Sequence, residues 1–181
     1  TGAIMSNDAL LSTEHARTVN NYLNCLQVVM VNTTLPANIG SAARAMHTMG
    51  LSRLTVVDPK LPIDDTSVSH AAGGSDLLSA AVIAPTLEAS ISDCQLVFAA
   101  SSRSRHLPRP VVTPTQAAKI MFDFIDAQAA LSTDDSDTLS AAPSCKPNIA
   151  ILFGREDRGL TNEELAYADY HIQIDANPAY P

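Results

Sequence analysis

The chain has 181 residues and a formal net charge of −8 at pH 7, with 46% hydrophobic and 17% charged residues. That length supports one domain with a sizeable core, and that composition excludes a disordered chain. No apolar run approaches the ~20 residues a membrane span needs, and no basic start followed by an apolar stretch marks a secretory signal. Met5 is read as the native start, with residues 1–4 an addition ahead of it. Cys25, Cys94 and Cys145 are far apart and form no CxxC pair, which excludes a disulfide framework or a zinc site and suits a reducing cytoplasm. The negative charge argues against a general nucleic-acid binder. Its distribution softens that: Asp123, Asp126, Asp134, Asp135 and Asp137 share a stretch without Lys or Arg, whereas Arg103, Arg105 and Arg109 cluster elsewhere. A local basic surface is compatible with an acidic protein.

In chain order, residues 7–23 read as helical, with Leu26 to Asn32 a buried strand. Ile39 to Met49 reads as a helix stopped by Gly50, and Leu54 to Val57 as the next strand, closed by Asp58-Pro59. Residues 60–70 read as a loop. A short helix at Ser75 to Ala80, a weak strand at Ala81 to Ala84 and a helix opened by Pro85 and running to Ile91 follow. Leu96 to Ala100 is a clear strand, and Pro114 opens a longer helix to about Ala130. Residues 131–147, rich in Ser, Asp, Thr, Ala and Pro, read as a flexible acidic insertion. A strand at Ile149 to Phe153 leads to a helix over Asn162 to Ala168, capped by Thr161 with Glu164 completing a capping box. Tyr170 to Ile174 is the last strand. Strands separated by helices predict an α/β fold with a mostly parallel sheet covered on both faces.

Three segments follow buried strands, where such folds keep ligand chemistry. In Asn38-Ile39-Gly40-Ser41-Ala42-Ala43-Arg44, Arg44 lies one turn into the predicted helix, in reach of a phosphate or ribose. A plain capped helix start, with Asn38 as the cap and Gly40 only relaxing the packing, explains the same residues slightly better. Ala99 to Arg105 leaves room for a ligand and offers two arginines to phosphate, against a reading as a polar loop. Phe153-Gly154-Arg155-Glu156-Asp157-Arg158-Gly159-Leu160 is the strongest signal. Two glycines bracket four charged residues, and Glu156 can accept hydrogen bonds or pair with an arginine. A charged turn before a helix is the simpler alternative. His15, His47, His70, His106 and His171 show no metal-ligand spacing, and no phosphate-binding lysine loop or nucleophile elbow is present.

Taken together and in this order, the motifs resemble the SPOUT superfamily of RNA methyltransferases. The resemblance is strongest to its TrmH-like group, and within it to the bacterial enzymes that methylate a tRNA ribose 2'-hydroxyl. Asn38, Gly40 and Arg44 match an Asn-x-Gly-x-x-x-Arg motif, Ser101 to Arg105 a Ser-x-Arg-x-Arg segment, and Phe153 to Leu160 a Phe-Gly-x-Glu-x-x-Gly-Leu segment. Asn162-Glu163-Glu164-Leu165 favours tRNA, and the anticodon loop, as the target. The resemblance implies a SPOUT domain over residues 25–181 behind an extension of residues 1–24, a C-terminal trefoil knot, and a homodimer with a shared active site. It implies S-adenosylmethionine as cofactor, held by Ala99, Ala100, Ser101, Phe153, Gly154, Arg155, Glu156, Gly159, Ile174 and Ala176. It implies Arg44 and Asn38 as catalytic residues, and Arg44, Arg103, Arg105, Arg109 and Arg155 as RNA contacts, without a metal. Ala176 to Pro181 resembles the lead-in to the family's third motif, which would begin just after Pro181. A chain ending there is expected to leave the knot incomplete and to bind cofactor poorly. Two alternatives stay open: another RNA target such as ribosomal RNA, and an inactive RNA-binding or dimerisation module.

Overall fold

The computed structural model describes residues 19–101, 108–133 and 147–174. Strands and helices alternate through these residues. Helix α1, described over 19–23, leads into β1 (Leu26–Val31), α2 (Pro36–Thr48) and β2 (Arg53–Val57). Next come α3 (Asp65–Ala71), a 3-10 turn (Ala72–Gly74), α4 (Ser75–Ser79), β3 (Val82–Ala84), α5 (Leu87–Ile91) and β4 (Leu96–Ala100). The described chain ends with β5 (Val111–Val112), α6 (Pro114–Thr133), β6 (Ile149–Phe153), α7 (Asn162–Ala166) and β7 (Tyr170–Ile172).

The seven strands form one sheet in the order β3-β2-β1-β6-β4-β7-β5, and every pairing is parallel. Strand β1 is buried along its whole length, as a strand covered on both faces must be. Alternate residues face opposite sides. Val29, Val31, Ala150 and Leu152 pack under Leu87 and Ile91 of α5 and Leu165 of α7. Val28, Met30, Leu54 and Val56 pack under Ile39, Ala43 and Met46 of α2 and Leu77 of α4. Further along that second face, Leu26, Phe98 and Ile149 meet Ala117, Met121 and Ile125 of α6. Helices therefore cover both faces, as the alternation predicts. Helix α1 packs on α6, with Tyr22 edge-on to Phe122 and its hydroxyl donating to Asp126. Among the described residues, no helix is long and apolar enough to cross a membrane.

Several boundaries differ from the sequence reading. Helix α2 begins at Pro36, not Ile39, with Pro36 in the first-turn position where a missing N–H costs nothing. Asn38 is thus inside the helix rather than its cap, and Arg44 lies more than two turns in rather than one. Residues 60–70 are not all loop, because α3 occupies Asp65–Ala71 behind a capping box between Asp64 and Ser67. Helix α5 starts at Leu87, its cap being Thr86, whose hydroxyl accepts from the Ala89 amide at 3.1 Å, rather than at Pro85. Helix α6 continues through Thr133 into the segment read as loop, and β5 was not anticipated. The capping box at α7 forms as predicted, with the Thr161 amide donating to Glu164 at 2.7 Å and the Glu164 amide to Thr161 at 3.2 Å. Of the N-terminal extension, residues 1–18 lie outside the described residues, as do residues 134–146 of the acidic insertion.

Gly40 has a packing duty that the sequence did not disclose. A Cβ there would lie 2.1 Å from the Ser67 carbonyl oxygen and 2.9 Å from the His70 Cβ, so α2 and α3 touch backbone to backbone. Gly40→Ala is expected to cost about 1–3 kcal/mol through forced separation of the two helices, whereas Ser41→Ala, on the exposed side of α2, should stay within about 0.5 kcal/mol. Urea denaturation of both variants checks the contrast.

Candidate active site at the carboxyl ends of the central strands

The sheet order reverses between β1 and β6. From β1 the chain steps outward through β2 and β3, while β6, β4, β7 and β5 lie on the other side. Such a switch point opens a crevice at the carboxyl ends of the strands. Two loops flank it here, residues 32–35 after β1 and 154–161 after β6.

Glu156 bridges them. Its carboxylate accepts from the Thr34 amide at 3.1 Å, the Thr34 hydroxyl at 2.7 Å, the Leu35 amide at 3.4 Å and the Asn38 side-chain amide at 2.8 Å. This arrangement answers a defect of α2, which has no side-chain cap and no acidic residue in its first turn. A helix N-terminus carries partial positive charge and unpaired N–H groups, and Glu156 supplies the missing anion from a distant loop. Partial burial alone would push the Glu156 carboxyl up. The hydrogen bonds from Asn38, from the Thr34 hydroxyl and from the backbone amides of Glu156 and Thr34 outweigh it and hold the group at about 2.

The loop that carries Glu156 is closed on itself. The Gly159 amide donates to the Arg155 carbonyl at 2.8 Å, and the two residues form an antiparallel bridge. A Cβ on Gly154 would lie 2.3 Å from the Gly159 carbonyl carbon and the Leu160 nitrogen, and Gly159 has φ +68. Gly154 has no room for a side chain, and the positive φ of Gly159 favours glycine there. Across the crevice, β1 and β2 each end on a non-glycine residue with positive φ, Asn32 at 51° and Asp58 at 40°. The Asn32 side-chain amide ties the two ends together, donating to the Asp58 carboxylate at 2.9 Å.

The three segments expected to hold a cofactor come together. They follow β4, β6 and β7, which are neighbours in the sheet, with Ala99 opposite Leu152 on one side and His171 on the other. Ala99 is buried, Ala100 and Ser101 are half-buried, and the Ser101 amide donates to the Ile172 carbonyl at 3.0 Å. Phe153 and Ile174 are exposed at this end, giving an apolar rim beside the backbone of Gly154 and Gly159. Small side chains, close backbone and an apolar rim suit a ligand ring held by main-chain groups. Ala176, Arg103 and Arg105 lie outside the described residues.

The arginines divide into two kinds. Arg44 is exposed on α2, and its guanidinium has no hydrogen-bond or ion-pair partner among the described residues. Arg109 donates to the Ala166 carbonyl at 3.2 Å, at the end of α7. Arg155, expected on cofactor and RNA, is engaged with Asp157 through Nε and one terminal nitrogen, both at 2.9 Å. Arg44 follows Asn38 by six positions, roughly 9 Å along the helix axis, and is not hydrogen-bonded to the cofactor segments. A concavity of about 720 Å³ around Asp58, Lys60, Ile63 and Ile83 lies on the far side of β1 from those segments, and no predicted site residue lines it. The sequence reading missed Thr34 and Leu35. The available signal was a helix start rich in donors with no acid of its own.

An all-parallel sheet with a glycine-closed acidic loop at its switch point defines the class, and the match to a family is extensive. The SpoU rRNA Methylase family model matches residues 25–181, and the chain belongs to that family. Among its relatives, the tRNA (cytidine/uridine/adenosine-2'-O-)-methyltransferase TrmJ of Pseudomonas aeruginosa is 37% identical over 158 residues, covering 87% of this chain and 54% of the relative. The tRNA (cytidine/uridine-2'-O-)-methyltransferase TrmJ of Escherichia coli K12 is 38% identical, covering 87% and 56%. The crystal structure of TrmJ from Z. mobilis ZM4 superposes with a TM-score of 0.68 at 30% identity, covering 85% of this chain and 60% of that one. The chain thus spans little more than half the length of the curated relatives it matches.

The Glu156 clamp has a pH signature. Its folded-state value lies below the ordinary carboxylate range, so its contribution to stability is present above about pH 4.5 and is lost as pH falls towards 2. Glu156→Gln should be less stable than the parent near neutrality, and the gap should close on acidification through that window. Urea titrations of both proteins at a series of pH values measure it.

Proposed function

We propose that this chain carries the catalytic domain of an S-adenosylmethionine-dependent tRNA ribose 2'-O-methyltransferase that acts in the anticodon loop as a homodimer. The observation that carries this reading is the Glu156 bridge. It ties the loop of the cofactor-type strands β6, β4 and β7 to the helix that bears Asn38 and Arg44. The relatives that are named tRNA 2'-O-methyltransferases supply the substrate class.

When bound, S-adenosylmethionine would supply a methyl group on a cationic sulfur: as the ribose 2'-oxygen takes the methyl in line, the S–CH3 bond breaks, the neutral thioether leaves, and the 2'-hydroxyl proton passes to solvent. The residues present fit that group: glycine backbone at 154 and 159, small side chains at 99–101, and apolar Phe153 and Ile174 at the rim. The protein's task is then positioning, which is worth several orders of magnitude in rate. Arg44 is always protonated and so is no general base. It orients the ribose or its phosphate and stabilises negative charge as it develops on the 2'-oxygen. Asn38 holds the start of α2 against Glu156 and so sets where Arg44 stands. A site shared between two copies, with Arg44 of one copy serving the cofactor segments of the other, is carried over from the family resemblance. The C-terminal knot belongs to the same proposal. It is supported by a late strand, β7, lying between the earlier β4 and β5. A tRNA-modifying enzyme with scattered cysteines fits the cytoplasm.

The family description names ribosomal RNA, which keeps that target as the second reading. In the full-length protein, Arg44→Ala should lower methyl transfer by at least about 10²-fold while leaving S-adenosylmethionine affinity within about twofold. Transfer of labelled methyl to total tRNA and to ribosomal RNA, calorimetry with the cofactor, and mapping of the modified nucleotide test this together. Turnover retained in Arg44→Ala contradicts the role, and methyl appearing only in ribosomal RNA replaces the substrate.

A further inference from the structure

Glu156 reaches its donors from the crown of a tight turn, and its two neighbours are paired with each other. Arg155 grips Asp157 in a two-pronged fork, with Nε on one carboxylate oxygen and a terminal nitrogen on the other, each at 2.9 Å. Arg158 approaches the same carboxylate at 3.5 Å. The Arg155 side chain is 25% exposed and that of Asp157 51%, so the fork lies at the surface with its guanidinium side the more covered. Bidentate geometry of this kind fixes direction as well as distance. With residues 155 and 157 locked to each other, the side chain between them is left to point away, and it points at Thr34, Leu35 and Asn38.

We infer that Arg155 and Asp157 form a positioning pair, whose fork aims Glu156 across the crevice and thereby sets the loop that begins α2. Arg155 is then a part of the protein's own frame rather than a ligand of RNA phosphate. This assignment rests on the proposed methyltransferase reading only for its functional meaning, because the geometry stands without cofactor or RNA. Two features make it specific. The carboxylate that occupies Arg155 is not the adjacent Glu156, although both are within reach along the chain. The turn is also closed independently by the Arg155 to Gly159 backbone bridge, so the fork directs side chains rather than making the turn.

A charge-neutral change separates aim from charge. In the double variant Arg155→Gln/Asp157→Asn, one positive and one negative group disappear together, so the net field on Glu156 changes little. If the fork aims Glu156, its carboxyl should move up from about 2 towards the ordinary range by at least about one pH unit, as its hydrogen bonds loosen. Carboxyl carbon-13 NMR from about pH 6 down to below about pH 2, on protein without cofactor or RNA, covers the titration of both proteins and reads that directly. Arg155→Lys keeps the charge but cannot form the fork, and it is the gentler second variant if the double one folds poorly; it should show a rise in the same direction. A Glu156 carboxyl that stays within about half a pH unit of the parent in the variant overturns the inference. So does a loss of tRNA affinity in Arg155→Lys with Glu156 unmoved, which returns Arg155 to RNA. Failure of methyl transfer in the parent protein, by contrast, removes the functional reading and leaves the pair intact.

Discussion

One carboxylate joins the two halves of the site. Glu156 stands 118 to 122 residues from its partners in the chain, yet it supplies the anion that the start of α2 lacks. The interaction suits its place, because four donors converge on one ionised group beside the positive end of a 13-residue helix. Its depressed acidity means that the bridge is ionised at every physiological pH. Four hydrogen bonds therefore link the β6 loop to the start of α2, and a change in either is felt by the other.

The bridge works only because α2 is placed with little freedom. Gly40 lets α2 lie directly on the α3 backbone, and Gly74 meets the Ala43 carbonyl in the same way, where a Cβ would lie at 2.7 Å. Two backbone contacts on one face, and Ile39, Ala43 and Met46 buried on the sheet, fix the helix about its axis. The functional motif around Asn38 to Arg44 is thus a mixture. Ile39, Gly40 and Ala43 seat the helix, Asn38 engages Glu156, and Arg44 is left exposed.

Legibility followed the kind of physics involved. Central strands β1, β4 and β6 were readable because burial on both faces demands continuous apolar runs. The α7 capping box was readable because both partners lie within four residues. Helix α3 was not, since Asp65-Thr66-Ser67-Val68 has poor intrinsic helicity and owes its form to the Asp64 cap and to α2. The true start of α2 was hidden for a related reason. Asn38 is a favoured cap residue by type, but the group that serves that end comes from the loop after β6, the strand paired beside β1. The order of the motifs disclosed the family; that Arg155 is held by Asp157 was beyond reach, because any of the four charges in that loop can be paired several ways on paper.

The strand order has a consequence for how the chain assembles. β1 and β4 never pair with each other; they meet only through β6, which begins at Ile149. Likewise β5 joins the sheet only through β7. Until the last third of the chain is made, the first four strands form two separate fragments with bare edges, and the contacts that unite them are distant in sequence. Such topologies fold slowly and leave open edges exposed meanwhile. The central strand of this sheet is a late arrival, so synthesis of the C-terminal portion, rather than of the strand that starts the fold, sets when the protein becomes one piece.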